Sequence, residues 1–221
     1  NADSIAPLLA KYLGALPTLP GKEKFKIITL RDPKGEIYNV FEKEQETPRA
    51  IVNFSYHTKM KPTLRNGIII DMIQQLMDML YTETVREDEG GAYGVPVRGS
   101  IVRYPEDEAA ITISLTTAPE KRAKMTEIIY QGIDQFVANG PNPENVQKVK
   151  EYMLRRHAEQ LKNNGYWMNQ MVEYAFWGEE NVKPFEKTLN SITPADIQKV
   201  AKAIFRSGNH CEVGMTTPIK E

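Results

Sequence analysis

Cysteine, net charge and long apolar runs are all scarce in this sequence, and each scarcity excludes a class of protein. Cys211 is the only cysteine among 221 residues, so the chain is not a disulfide-stapled secreted miniprotein, although a periplasmic location stays open. The net charge of -1 gives no general attraction to nucleic acid or to an anionic membrane. The most apolar segment, residues 67–80, is interrupted by Asp71 and Asp78 and predicts an amphipathic helix, not a membrane span.

Familiar catalytic motifs are missing as well. The sequence has no HExxH or HxxEH pair, no G-x-S-x-G elbow and no Walker loop, so zinc-peptidase, serine-hydrolase and P-loop chemistry have no local signature. His157 is expected on a helix surface. His57 and His210 are expected on the polar faces of strands, where they could meet only if those strands pair. We predict no metal ligand in this chain.

Three other groups of residues have ordinary structural interpretations. Cys211 is predicted on the apolar face of a strand as a small hydrophobic residue, with His210 pointing to the opposite face. The acidic residues at 87–89 and 106–108 are expected in solvated turns. Four large side chains are expected to be packing residues and not a ligand pocket, although methionine-rich surfaces can also bind partners: Trp167, Met168, Met171 and Trp177.

Alternating hydrophobicity is what the sequence does contain. Within residues 49–59, Val52, Phe54 and Tyr56 alternate with polar residues, which is the period of a strand with one covered face. The same period recurs in two later segments and more weakly in two others: residues 109–118 and 209–217, then 36–44 and 93–104. About five strands result, and their alternation favours an antiparallel sheet that is covered on one side.

Helices are predicted to supply that cover. Apolar residues at helical spacing predict one helix between Pro62 and Arg86, a second over residues 128–137 and a further one around residues 167–175. Two more helices begin with an N-cap residue that is followed by proline at the first helical position: Asn142 with Pro143, and Thr193 with Pro194.

The order of these elements predicts an α+β fold, a mostly antiparallel sheet of about five strands with helices packed on one face. A short helix at residues 3–17 comes first, and residues 18–36 form a connecting arm. A single domain over residues 1–221 is expected. Because the first residue is Asn1 and not methionine, the chain is expected to be a piece of a longer one.

The segment VREDEGGAYGVPV, residues 85–97, permits two interpretations. A basic residue before glycines suits the end of a helix, so Arg86 can be a helix-ending residue and Tyr93 a core residue. Alternatively, Gly90 and Gly91 allow a sharp reversal that brings the Arg86 guanidinium and the Tyr93 phenol to the same rim of the sheet. Two donors aimed at one oxygen could hold a carbonyl and stabilise its developing charge during acyl transfer. Spacing alone favours the first interpretation.

The wider sequence resembles the pitrilysin/insulinase family of zinc peptidases. REDEGGAY has the family's spacing between its arginine and its tyrosine, here Arg86 and Tyr93. DSIAPLLAKYLGALP, residues 3–17, is similar to the helix that leads to the family's YLgsLP ending, and SITPADIQKVAKAIF, residues 191–205, is similar to the helix before its last strand. The resemblance covers nearly the whole chain and agrees with the predicted order of elements.

This resemblance implies a processing-peptidase-like fold and half of an active site. In such enzymes one half carries HxxEH and a distant glutamate, and a related half without zinc ligands contributes the arginine and the tyrosine. Arg86 and Tyr93 would then bind the substrate carbonyl or its oxyanion, while zinc and the general base come from a homologous partner half. The implied substrate is a peptide or unfolded segment inside a clamshell chamber, and the implied location is the bacterial periplasm or cell envelope.

Two alternatives stay open. The zinc-bearing half could belong to the same long chain, as in four-domain bacterial members, or to a separate subunit, as in processing peptidases. The domain could also be a non-catalytic structural or interaction domain of the same fold, in which Arg86 only ends a helix. Turnover of the full assembly separates enzyme from structural domain, because loss of one oxyanion donor costs about tenfold to a thousandfold.

Overall fold

The computed structural model of the protein describes residues 1–17, 32–87 and 94–219. The chain divides into two compact units, Asn1–Leu30 and Arg31–Glu221. The predicted order of elements is confirmed. In chain order they are α1 (Ala2–Tyr12), β1 (Glu36–Glu42), β2 (Ala50–Lys59), α2 (Leu64–Glu87), β3 (Val97–Val102), β4 (Glu108–Thr117), a 3-10 turn (Pro119–Lys121), α3 (Arg122–Asn139), α4 (Pro143–Gln160), α5 (Asn164–Trp177), α6 (Phe185–Ser191), α7 (Pro194–Phe205) and β5 (His210–Thr216).

The first unit contains α1. The Asn1 side chain accepts a hydrogen bond from the N–H of Asp3 at 3.0 Å, which satisfies one of the free donors at the helix start. No residue of α1 is buried. Its large apolar side chains are at least half exposed: Ile5, Leu8, Leu9 and Tyr12.

The second unit is built on a five-stranded sheet with the order β1-β5-β2-β4-β3. β2 lies at the centre and pairs antiparallel with both β4 and β5, while β3 pairs antiparallel with β4. β1 pairs parallel with β5, so the sheet is mixed but mostly antiparallel. β1 and β3 are its two edges.

One face of this sheet forms the core with the helices. Phe54 pairs with Ile113, and Tyr56 with Ile111, and all four side chains face α2, α3 and α7 with at most 6% of their surface exposed. Burying each large apolar side chain stabilises the fold by roughly 1.5–3 kcal/mol. The other face is polar along β2 and β4, as where the Ser114 hydroxyl donates to Asn53 Oδ1 at 2.7 Å.

α2 is the central helix of that layer. It packs against β3, β4 and four other helices, and Met72, Ile73 and Met77 have no exposed surface. The Tyr81 hydroxyl donates to the carbonyl of Ile129 in α3 at 2.9 Å. Gly132 permits this close approach, because a Cβ there would lie 2.7 Å from the Tyr81 ring.

The predicted helix starts at α4 and α7 are confirmed. Asn142 Oδ1 accepts from the N–H of Glu144 at 2.8 Å. Thr193 Oγ1 accepts from the N–H of Asp196 at 3.2 Å, and Asp196 Oδ2 accepts from the N–H of Thr193 at 2.8 Å. This reciprocal pair is a capping box, and the hydrogen bonds from Thr193 lower the pKa of Asp196.

The predicted orientation of β5 is wrong. His210 pairs with Tyr56 and Glu212 with Phe54, so these polar residues share the core face, while Cys211 and Val213 lie on the open face. The physical reason is that side chains of the core contact both Glu212 and His210. The Tyr130 hydroxyl of α3 donates to Glu212 Oε2 at 2.5 Å, and the His210 ring stacks on Tyr56 with 4.3 Å between ring centroids.

The predicted surface position of His157 is also wrong, because only 3% of this residue is exposed. Its ring stacks on Phe185 of α6 with 4.1 Å between centroids. Burial lowers the pKa of His157, so the neutral ring is the form that fits between α4 and α6.

Candidate functional site

Arg86 and Tyr93 stand on either side of the connection between α2 and β3. The backbone of Arg86 lies in the last turn of α2, while its side chain and all of Tyr93 are outside the described residues. The convergence of the two side chains therefore stays a prediction. Gly94 follows Tyr93 directly and has a φ of 150°, which residues with a side chain rarely adopt.

Two side chains of α2 hold the free edge of β3. Asp78 Oδ1 accepts a hydrogen bond from the N–H of Val97 at 2.7 Å, and Gln74 Oε1 accepts from the N–H of Gly99 at 3.0 Å. These N–H groups point away from β4, so the side-chain acceptors satisfy them. Because residue numbers rise along α2 as they fall along β3, the end of α2 and the start of β3 lie at the same end of the sheet.

A cavity of about 420 Å³ lies between α2 and α4 beside these contacts. α2 contributes Asp71 and Asp78 to its wall, and α4 contributes Lys148 and Arg156. Burial raises the pKa of Asp78, and the hydrogen bond from Val97 opposes that rise. With acidic residues on one wall and basic residues on the other, the cavity suits a polar group better than an apolar ligand.

A second cavity, of about 570 Å³, lies between the start of α2, the end of β3 and α5. Arg103, just after β3, donates to the Pro62 carbonyl at 3.0 Å and to the carboxylate of Glu179. Its guanidinium carbon lies 4.9 Å from the centroid of the Trp177 ring. This cation–π and ion-pair contact fixes the end of α5 beside the sheet.

The rest of α5 presents an apolar surface to solvent. Of the four residues predicted to pack, Trp177 does so against Arg103. Trp167, Met168 and Met171 are 42%, 60% and 62% exposed, so the prediction is wrong for these three. Exposed apolar patches of this kind mark interaction surfaces. We call this set the α5 surface: Trp167, Met168, Met171, Val172, Tyr174 and Phe176. Among the described residues, no helix combines the length and apolarity needed to cross a membrane.

The polar side chains that hold β3 were visible in the sequence only as interruptions of an apolar run. Asp71, Gln74 and Asp78 follow one another at spacings of three and four residues, so they share one side of a helix. That spacing was the available signal. It did not reveal the partner, because the contact with Val97 depends on how α2 crosses the sheet.

The residues of α2 do not fit a catalytic zinc ion. The chain has no HxxEH, and α2 contains no histidine. Among the described residues, one group of three could bring metal-ligand atoms together, namely Asp32, His57 and Glu108, and it lies on the open face of the sheet. No step that needs a catalytic zinc ion can be assigned to this chain.

Comparison with known proteins identifies what this arrangement resembles. The family described as "Peptidase M16 inactive domain" matches residues 1–153. A zinc protease PQQL-like protein of Arabidopsis thaliana is 20% identical over 183 residues, which are 75% of this chain and 19% of that protein.

Solved structures share the fold over almost the whole chain. The periplasmic protease PqqL of Escherichia coli superposes with a TM-score of 0.82 at 17% identity, covering 99% of this chain and 24% of that one. A peptidase M16 inactive domain of Pseudomonas fluorescens gives a TM-score of 0.77 at 14% identity, covering 100% and 52%. The chain thus spans between about a fifth and about a half of the length of these relatives.

Proposed function

Because this chain belongs to the family of peptidase M16 inactive domains, we propose that it is the half of a zinc metalloendopeptidase that binds substrate and carries no zinc. The observation that supports this most is the pairing of a family match over residues 1–153, which includes Arg86 and Tyr93, with the lack of any HxxEH. The zinc ion and the general-base glutamate belong to a homologous half in this proposal.

Arg86 and Tyr93 act in this proposal as donors to one oxygen. The distances of Arg86 and Tyr93 can both be counted from the hydrogen bond between Asp78 and Val97. Arg86 lies eight residues beyond Asp78, about 12 Å along the helix axis. Tyr93 lies four residues before Val97, within at most about 14 Å of extended chain. These limits on length allow the two side chains to reach one substrate group, which is what the proposal requires.

The chemical contribution of these donors is electrostatic. A guanidinium and a phenol donate hydrogen bonds to the carbonyl oxygen of the scissile peptide, and these bonds strengthen as negative charge develops on that oxygen. Neither residue needs to lose a proton in this role. Removal of one such donor costs up to about 4 kcal/mol of transition-state stabilisation.

The α5 surface is the proposed contact with the zinc-bearing half. Among the described helices of the second unit, α5 has the largest set of exposed apolar side chains. Burial of such a surface against a partner stabilises the complex. The partner half is either part of the same long chain or a separate subunit. Peptides or unfolded segments are the proposed substrates, and the bacterial periplasm or cell envelope is the proposed location.

Reconstitution tests this function. The 221-residue chain alone should cleave no unfolded peptide in the presence of zinc, and the zinc-bearing half alone should be much less active than the two halves together. If the zinc-bearing half has full turnover without this chain, or if this chain raises its stability but not its turnover, the domain is a structural or interaction domain of the same fold.

A further inference from the structure

The open face of the sheet carries a cluster of ligand-type side chains from three separate chain segments. His57 is near the end of β2, Glu108 begins β4, and Asp32 precedes β1. One possible ligand atom from each side chain lies within 4.8 Å of the other two. His57 is 6% exposed although it lies on the open face, so the cluster is built around a buried imidazole.

Both nitrogens of the His57 ring face groups that accept hydrogen bonds. Nε2 lies 3.2 Å from the carbonyl oxygen of Pro33, and Nδ1 lies 3.1 Å from Glu108 Oε2. A neutral imidazole has one N–H, so once Nε2 donates to Pro33 the lone pair of Nδ1 faces a carboxylate. A proton or a metal cation between Nδ1 and the carboxylate would satisfy both acceptors.

Lys59, the residue opposite Glu108, does not supply that charge. Lys59 pairs with Glu108 in the register of β2 and β4, but its ammonium group lies 3.3 Å from Glu106 Oε2 instead.

The spacing of Nδ1 and Oε2 suits a metal. Zinc binds histidine nitrogen and carboxylate oxygen at about 2.0–2.2 Å, so two such atoms 3.1 Å apart subtend an angle of about 95° at the ion, between octahedral and tetrahedral values. Asp32 is exposed, so its carboxylate has room to move closer and form a third bond. The hydrogen bond from Nε2 to Pro33 matches the outer contact that orients metal-bound histidines.

We infer that Asp32, His57 and Glu108 bind a first-row divalent cation of the zinc type on the open face of the sheet. One imidazole nitrogen and two carboxylate oxygens suit zinc, whereas calcium and magnesium prefer ligand sets made entirely of oxygen. Water completes the coordination. The ion ties the segment before β1 to β2 and β4, which makes it a structural site.

Zinc binding by the 221-residue chain tests the inference directly. Chain stripped with a chelator is titrated with zinc in a calorimeter, and bound metal is measured after gel filtration. We expect one equivalent of zinc, a raised melting temperature, and no displacement by millimolar calcium or magnesium. Cobalt in place of zinc should give the visible absorption of a protein-bound ion.

Matched variants identify the ligands. Asp32→Asn, at an exposed position, and Glu108→Gln should each weaken zinc binding by about tenfold or more. Glu106→Gln, which alters an acidic residue of the same segment, should bind zinc like the unaltered chain. A metal-free imidazolium–carboxylate pair would leave no retained zinc and no thermal shift. That result overturns the inference, and so does equal zinc affinity in Asp32→Asn and the unaltered chain.

Discussion

α2 and α5 are both rich in methionine and large apolar residues, yet the fold uses them in opposite ways. Met72 of α2 has no exposed surface, whereas Met171 of α5 is 62% exposed. α2 lies across the sheet and is enclosed by four other helices, while α5 touches the sheet mainly through Trp177 and Arg103. The core is therefore complete without most of α5, and in our proposal the apolar residues of α5 contact a partner outside this chain.

Substituting one methionine in each helix should give the largest difference in the free energy of unfolding. Met72→Ala should lower the free energy of unfolding by about 2–5 kcal/mol, because it removes buried apolar surface and leaves a cavity. Met171→Ala should change it by no more than about 0.5 kcal/mol, since the side chain is exposed. Urea unfolding followed by circular dichroism measures both. Equal losses in the two variants would mean that α5 belongs to the core.

Adding a charge to the α5 surface separates assembly from stability. Met171→Asp should weaken association with the zinc-bearing half by about 30-fold, which corresponds to roughly 2 kcal/mol for a central interface residue. Its free energy of unfolding should stay close to that of the unaltered chain. Gln131→Asp adds the same charge at an exposed position of α3 and should leave association intact. Sedimentation or fluorescence titration measures the affinity, and an unaffected Met171→Asp variant would remove α5 from the interface.

The hydrogen bond between α2 and β3 should have the next largest effect on the free energy of unfolding. Asp78→Ala leaves the N–H of Val97 without its acceptor and should cost about 1–3 kcal/mol of unfolding free energy. Asp78→Asn keeps an acceptor oxygen and should cost less. Hydrogen exchange at the Val97 amide should accelerate in the alanine variant alone. Equal exchange rates in both variants would show that Asp78 does not hold this edge.

Two buried histidines should make the free energy of unfolding depend on pH, which is the smallest of the expected effects on stability. Burial lowers the pKa of both His157 and His210, so the unfolded chain binds more protons than the folded chain just below the ordinary histidine pKa of about 6.5. Their contribution is fully present above that pH and is lost as the pH falls through the lowered folded pKa. His157→Gln should flatten the fall in unfolding free energy between pH 7 and pH 5. An unchanged slope would contradict the burial of a neutral His157.

Sequence periodicity was sufficient to predict the strands and the helix starts, but it could not predict which side chains pack against them. The alternation around Phe54 and the proline-marked caps at Asn142 and Thr193 depend on residues that are close in sequence. The face of β5 depends on Tyr130, whose hydroxyl gives Glu212 a partner 82 residues away. Burial of His157 likewise depends on Phe185, which a helical period cannot reveal.

Only those features of the candidate site that depend on residues close together in the sequence were predictable. Arg86 was placed correctly at the end of a helix, but nothing local indicated that Asp78 and Gln74 hold β3. The cluster of Asp32, His57 and Glu108 was missed altogether, because its members come from three segments that only the strand register and the preceding segment bring together.

Turnover of the complete enzyme with altered Arg86 and Tyr93 tests the central proposal most directly. The variants Arg86→Ala and Tyr93→Phe are compared with Arg155→Ala, which removes an exposed arginine of α4. We expect kcat to fall by about tenfold to a thousandfold in the first two variants, with little change in KM or in association of the halves, and Arg155→Ala to be unaffected. Unchanged kcat in both Arg86→Ala and Tyr93→Phe would contradict it.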